Sequence, residues 1–276
     1  MTSFLIIVGV YTLAAFLGIA AYDRLPGAFW LRLLISDVLS TLVVFLFSLL
    51  FSNASVYDPY WSVQPPVILG VCALRHPLSG FTSLLLGVVC LWGLRLTGNW
   101  AYTFHGLDHE DWRYRMLREQ SGAFYPVVNL FGIHLVPTLI VYLCTLPAAW
   151  AIREGFSGGV LSTFCCLLSL FAVALQGTAD LQMQRFRARG TGGLIREGLW
   201  KVSRHPNYLG EILMWWGVGL AVFCSQPRPI FLVGALVNTL LFLFVSIPMA
   251  EKRQSAKSGW DAYRRETPML LPRVGK

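Results

Sequence analysis

Residues 157–180 read SGGVLSTFCCLLSLFAVALQGTAD, a run with no charge until its last residue, Asp180. A helix crossing the hydrocarbon of a bilayer needs ~20 mostly apolar residues, and this stretch supplies them. Helix is the only open spanning state that satisfies every backbone amide within one segment. Outward from this stretch, similar blocks occupy 3–22, 31–52, 60–74, 78–100, 127–151, 208–225 and 229–249. They predict an all-α, polytopic transmembrane bundle of seven to eight spans, with eight favoured. The block at 60–74 is short and opens on Tyr60-Trp61, so a full span, a tilted span and a re-entrant segment all remain open for it. The last two blocks are separated by Ser225-Gln226-Pro227-Arg228-Pro229, a tight hairpin turn by composition. No segment has the ten-residue alternation of a membrane β-barrel.

Composition agrees. Hydrophobic residues make up 55% of the 276, charged residues only 13%, and mean hydropathy is +0.59. A soluble domain carries about 25% charged residues, so too few charges remain to coat a water-facing surface. The first apolar block lacks a basic n-region, since the first basic residue is Arg24; it reads as a retained helix and not as a signal peptide. The basic residues Arg185, Arg187, Arg189, Arg196, Lys201 and Arg204 crowd into 184–206. A second group, Lys252, Arg253, Lys257, Arg264, Arg265, Arg273 and Lys276, fills the tail. The positive-inside rule puts both on the cytoplasmic side, and with eight spans both termini as well. The net charge of +8 fits this topology plus an anionic ligand. Nucleic-acid binding is not expected, because no basic face is interleaved with exposed aromatics. The cysteines Cys72, Cys90, Cys144, Cys165, Cys166 and Cys224 form no C-x-x-C pair and fall in apolar blocks, as small hydrophobes do. Without repeats or a soluble domain, 1–276 reads as one membrane domain.

The chemistry is expected among polar residues that membrane helices do not carry without reason. Gln176, Asp180, Gln184 and Arg187, spaced i, i+4, i+8 and i+11, form one stripe at the end of an apolar helix. A carboxylate near the membrane interface is a site hypothesis by default; its bland alternative is an interfacial cap with snorkelling arginines. Farther on comes the run Gly198-Leu199-Trp200-Lys201-Val202-Ser203-Arg204-His205-Pro206-Asn207-Tyr208-Leu209-Gly210-Glu211. Pro206 suits a first helical turn, which places Arg204 and His205 at a helix end that favours anions. Asn207, Glu211 and Trp215 follow on one face. A ligand with phosphates at one end fits this rim; a juxtamembrane basic loop on anionic lipid is the alternative.

The same run, with Trp215-Trp216-Gly217, resembles the C-terminal signature of the steroid 5-alpha-reductase superfamily, and more narrowly the membrane proteins catalogued as DUF1295. The resemblance extends to Val56-Tyr57-Asp58-Pro59-Tyr60-Trp61-Ser62, Leu91-Trp92-Gly93-Leu94-Arg95-Leu96, Glu110-Asp111-Trp112-Arg113-Tyr114 and Asp180-Leu181-Gln182, most of the chain after residue 30. It implies a seven-helix reductase core over 31–276, with 1–30 as an added helix and connection, and NADPH held on the cytoplasmic side. On the matching positions it implies cofactor contacts from Arg95, Gln176, Asp180, Arg187, Asn207 and Glu211. Neighbouring Arg204, His205 and Tyr208 belong to the same motif. Arg253 and Tyr263 are candidates in the tail, and Arg113 and Tyr114 in the loop that would close over adenine and phosphates.

The substrate end departs from the resemblance. Steroid reductases present a Gln-Glu pair and a tyrosine; here Tyr57-Asp58-Pro59-Tyr60-Trp61 occupies the first position and Trp92 the second. Trp cannot give a proton to a carbonyl as Tyr can. Asp58 can, if burial raises its pKa, or it can simply cap the helix at Pro59. The expected reaction is hydride transfer from NADPH to a C=C bond of a hydrophobic steroid, sterol, polyprenoid or fatty chain, with the proton from Asp58, a tyrosine such as Tyr60, or water. Gly190-Thr191-Gly192-Gly193 follows a membrane helix, not a strand, and so is no dinucleotide fingerprint. His105 and His109, four apart with carboxylates beside them, read as a polar loop and not as a metal site. Two other classes remain: an S-adenosylmethionine-dependent membrane methyltransferase, since similar Arg-His-Pro runs occur there, and a non-enzymatic lipid-binding protein. The membrane is a bacterial inner membrane or the endoplasmic reticulum.

Overall fold

The computed structural model describes residues 2–190 and 192–272; Thr191, Arg273 and Lys276 lie outside the described residues. It is all-helical among them, and its helices sort into two compact units, residues 1–77 with 92–153 and residues 78–91 with 154–276.

The first unit opens with α1 (Thr2–Arg24) and α2 (Phe29–Leu50), joined by a turn in which Gly27 takes φ +109°. The two helices approach closely at Gly18. A Cβ there would lie 3.2 Å from the Ser36 carbonyl. Ser40 Oγ crosses the seam to donate to the Ala14 carbonyl at 2.8 Å. In a bilayer, where lipid is as apolar as leucine, such small-residue contacts and interhelical hydrogen bonds replace the hydrophobic drive, each bond contributing about 0.6 kcal/mol. After a short turn, Ala54–Tyr57, comes α3 (Tyr60–Arg75), with Pro65 and Pro66 inside it. Next is α4 (Gly80–Thr103), whose first half is counted with the second unit. α5 (Trp112–Ser121) starts at Asp111, whose carboxylate accepts from the Arg113 amide. α6 (Tyr125–Val128), a π-helical turn Asn129–Leu135 and α7 (Val136–Arg153) then run on almost without break.

The second unit is built on α8 (Val160–Ala188) and α10 (Pro206–Ser225), with the short α9 (Leu199–Val202) between them. Their seam is lined with small residues. A Cβ at Gly210 would sit 2.8 Å from the Ala172 carbonyl, and one at Gly217 2.8 Å from the Cys165 carbonyl. Ser169 Oγ donates to the Met214 carbonyl at 3.0 Å. α11 (Ile230–Leu241) returns against α10, with Trp216 Nε1 on Thr239 Oγ1 at 2.9 Å. A second π-helical turn, Phe242–Ser246, leads to α12 (Ile247–Gln254) and α13 (Trp260–Glu266).

All eight apolar blocks are helical. Among the described residues, seven helical stretches are long and apolar enough to cross a membrane. α3, with 16 residues, spans about 24 Å, short of the ~30 Å hydrocarbon core. The protein is therefore an integral, multi-pass membrane protein. α8 continues past the expected end at 180 to Ala188; its last two turns are charged, so hydropathy does not reveal them.

Candidate functional site

In the second unit the polar stripe of α8 meets the face of α10. Gln176 is almost wholly buried, and its Nε2 donates to Glu211 Oε2 at 2.7 Å. Glu211 Oε1 accepts from Trp215 Nε1 at 2.8 Å. Both carboxylate oxygens thus have neutral donors, which lets a membrane helix carry a buried carboxylate. Gln176 Oε1 on α8 and Asn207 Oδ1, one turn before Glu211 on α10, are buried acceptors without a partner. Asp180 is half-buried one turn beyond Gln176, and Arg187 is exposed, about 16 Å along the axis from Gln176.

Arg204, expected at an anion rim, is drawn inward. Its Nε and Nη2 bond Glu251 Oε1 at 2.8 and 2.7 Å, and Nη1 donates to the Arg264 and Thr267 carbonyls at 3.1 and 2.6 Å. His205 Nε2 lies 3.2 Å from the same Glu251 oxygen, and its ring stacks on Tyr208. Tyr263 Oη donates to the Trp200 carbonyl at 2.6 Å. These bonds dock the 260–268 segment onto the loop that starts α10.

Positive charge converges on the far end of the stripe. Lys257 Nζ donates to the Gly193 carbonyl at 2.9 Å. Burial, and then the fields of Arg253 and Arg187, pull its ammonium below the usual lysine range. Two residues expected to hold a cofactor, 66 apart in sequence, therefore act on one lysine that nothing in the sequence singles out.

In the first unit two separated motifs interlock. Asp58, in the turn before α3, accepts from the Tyr114 hydroxyl at 2.6 Å and lies 3.6 Å from the Arg113 guanidinium. Glu110 accepts from the Ala54 amide at 2.9 Å and from Arg118 at 2.8 Å. The Asp111 amide donates to Ser55 Oγ at 2.7 Å, and Asn53 Nδ2 donates to the Leu107 carbonyl. The 53–58 turn is thus held by residues 107–118. Burial pushes the Asp58 carboxyl up to about 6, against the opposing pull of Arg113 and Tyr114. Its side chain is still 18% exposed, so it can exchange protons with solvent. Tyr60 is buried, its ring 5.5 Å from Tyr57 and 5.4 Å from Tyr11. Trp92 is wholly buried and meets Trp61 edge-on at 5.8 Å. Arg95 is half-buried on α4. His105 and His109 face each other at 6.0 Å, and no group of three or more potential ligands is placed to hold a metal among the described residues.

Glu251 has a signal in the sequence, as a carboxylate at the end of an apolar block. Asp37 has one too, as an isolated carboxylate within the apolar block 31–52. The pairing of Asp58 with Tyr114 carries no local signal.

Comparisons with known proteins agree with this picture at the level of family. A Schizosaccharomyces pombe protein described as uncharacterized is 26% identical over 192 residues, covering 59% of this chain and 56% of the yeast one. The chain thus spans little more than half the length of that relative. No solved structure matches. The pattern of the family described as "Protein of unknown function (DUF1295)" matches residues 44–267, both interlocked motifs and the α8–α10 network included, and the chain belongs to that family.

Proposed function

We propose that the protein is an NADPH-dependent membrane reductase that saturates a C=C bond of a hydrophobic, lipid-like substrate. The observation that carries this reading is the convergence of Arg187, Arg253 and Lys257 at the end of the stripe begun by Gln176 and Asp180. A lysine held below its usual range by burial and then by neighbouring cations gains from a multiply charged anion. S-adenosylmethionine, positive overall with a single carboxylate, gains far less there.

The residues present fit a phosphorylated dinucleotide. The orphaned Gln176 Oε1 and Asn207 Oδ1 are acceptors for amide or hydroxyl donors, while Arg187, Arg253 and Lys257 answer phosphates. Glu211, Arg204, His205 and Tyr263 then act one step back, fixing Gln176 and the start of α10. NADPH, when bound, supplies the hydride. The protein's own part is to hold that ligand, to exclude water through the apolar bundle, and to deliver a proton. Asp58 is suited to the last task, because a carboxyl with pKa about 6 keeps about a tenth of its molecules protonated at pH 7, about a hundredfold more than an ordinary Asp. Tyr114 and Arg113 hold its orientation.

The test is calorimetry on detergent-purified protein with NADPH, NADH and S-adenosylmethionine. NADPH is expected to bind best, and Arg253→Ala or Asp180→Ala to weaken it at least tenfold. Binding of S-adenosylmethionine without NADPH would move the chain to methyl transfer. Binding of neither would leave a lipid-binding bundle without this chemistry.

A further inference from the structure

A cavity of about 90 Å³ lies among α1, α2 and α3, entirely within the first unit. Asp37, Gln64 and Ser36, all more than nine-tenths buried, line it together with Ser40, whose hydroxyl is already spent on the Ala14 carbonyl. Five of their atoms, both Asp37 oxygens, both Gln64 polar atoms and Ser36 Oγ, have no hydrogen-bond partner. Asp37 stands eight residues into α2, about 12 Å from the helix start. An Asp at the centre of a membrane helix costs about 2.5–3.5 kcal/mol on insertion scales, and each orphaned polar atom adds to that cost. The unsatisfied groups converge on one space, so the space is built for a polar ligand group.

The nearby cations do not answer Asp37. Arg75, at one end of the cavity, is held by both oxygens of Asp23 at 2.5 and 3.0 Å. Arg32 donates to the Tyr22 carbonyl at 3.1 and 2.6 Å. Leu33, Val67, Ile68 and Val71 supply an apolar wall, and Tyr11, Tyr22, Tyr60 and His76 also line the space.

We propose that this cavity binds the head of a lipid alcohol, its hydroxyl donating to Asp37 and accepting from Gln64 while its hydrocarbon lies along the apolar walls. A hydroxyl offers one donor and acceptor lone pairs, which matches a carboxylate beside an amide. An ammonium leaves the Gln64 N–H unanswered, a fatty acid sets a second carboxylate against Asp37, and an alkane answers none of the five atoms. α1 and Asp37 lie before residue 44, where the family match begins, and Gln64 lies within it; none of these residues is used in the reductase reading, so the proposal does not rest on it.

The experiment uses the full chain in lipid nanodiscs and a diazirine-bearing hexadecanol, with labelled peptides mapped by mass spectrometry. Labelling is expected to saturate, to fall on α1 and α3 residues lining the cavity, and to be competed at least tenfold better by hexadecanol than by hexadecane, hexadecylamine or palmitate. Asp37→Leu is expected to weaken labelling at least fivefold without lowering the melting midpoint, since it removes an unsatisfied carboxylate. Ile68→Trp fills the cavity and is expected to abolish labelling, which tests the site independently of Asp37. Labelling that does not saturate means a merely hydrated cavity and overturns the proposal. So does equal competition by hexadecane, preference for the amine, or unchanged labelling in both variants.

Discussion

Asp58 combines two properties that oppose each other: burial that raises its carboxyl to about 6, and 18% exposure that keeps it in touch with water. As the donor in the proposed reduction it must be protonated, so kcat/KM for that reaction is expected to be level below pH 6 and to fall towards tenfold per unit above it. Asp58→Asn should lower turnover at least tenfold and flatten that profile. The same shift bears on stability. A carboxyl whose folded pKa lies above its unfolded value contributes stability that is full below about pH 4 and is lost as pH rises through about 6. Wild type is therefore expected to lose up to ~3 kcal/mol from this group between those limits, and Asp58→Asn to lose none, as measured by unfolding midpoints at the two pH values. The acid is legible as a candidate from its place in the Tyr57-Asp58-Pro59-Tyr60-Trp61 motif, although an Asp before a helix is also an ordinary cap. Its orienting partner is not, because Tyr114 lies 56 residues away and nothing local in either motif points to the other.

Between elements, contact is governed by what glycine leaves out. Gly210→Ala would put a Cβ 2.5 Å from Gln176 Cγ and 2.8 Å from the Ala172 carbonyl. Backbone cannot yield as a side chain does, so α8 and α10 must part. Overpacking of this kind costs about 1–3 kcal/mol, to be read as a lower melting midpoint in detergent together with weaker NADPH binding through Gln176. Gly9, where a Cβ would meet nothing within 4 Å, is the control, and Gly9→Ala is expected to leave the midpoint unchanged or slightly raised. The pairing of Arg204 with Glu251 is the other tie. Glu251→Gln leaves a largely buried guanidinium without its counter-charge, a change that costs about 3–5 kcal/mol. Limited proteolysis should then open the 255–268 segment before the rest. The helices themselves are legible because the bilayer demands long apolar runs. Their charged extensions are not, nor are the π-helical turns Asn129–Leu135 and Phe242–Ser246, since an extra residue in a turn leaves hydropathy unchanged.

For the whole molecule the open variable is α3. If its 16 residues cross, the number of spans is even and the termini share a side; if they do not, the termini are opposed. Its ends carry Tyr60-Trp61 and Arg75-His76, residues that anchor at an interface or snorkel to it. Local thinning across about 6 Å of mismatch is modest in cost. Both termini are therefore expected on the cytoplasmic side, as checked by reporter fusions at each end. Arg204 adds a dimension of time. Its partners Glu251, Arg264 and Thr267 are made 47 to 63 residues later, about 2–13 s at ordinary rates of synthesis. While α10 is being threaded into the bilayer, that guanidinium has no counter-charge, and it holds its loop on the side where positive charge is retained. Only once Glu251 has been made is the charge neutralised. A residue silent in the finished surface is thus expected to weigh on the protein's orientation during its birth, and Arg204→Gln to raise the share of chains inserted the other way round in the same reporter fusions.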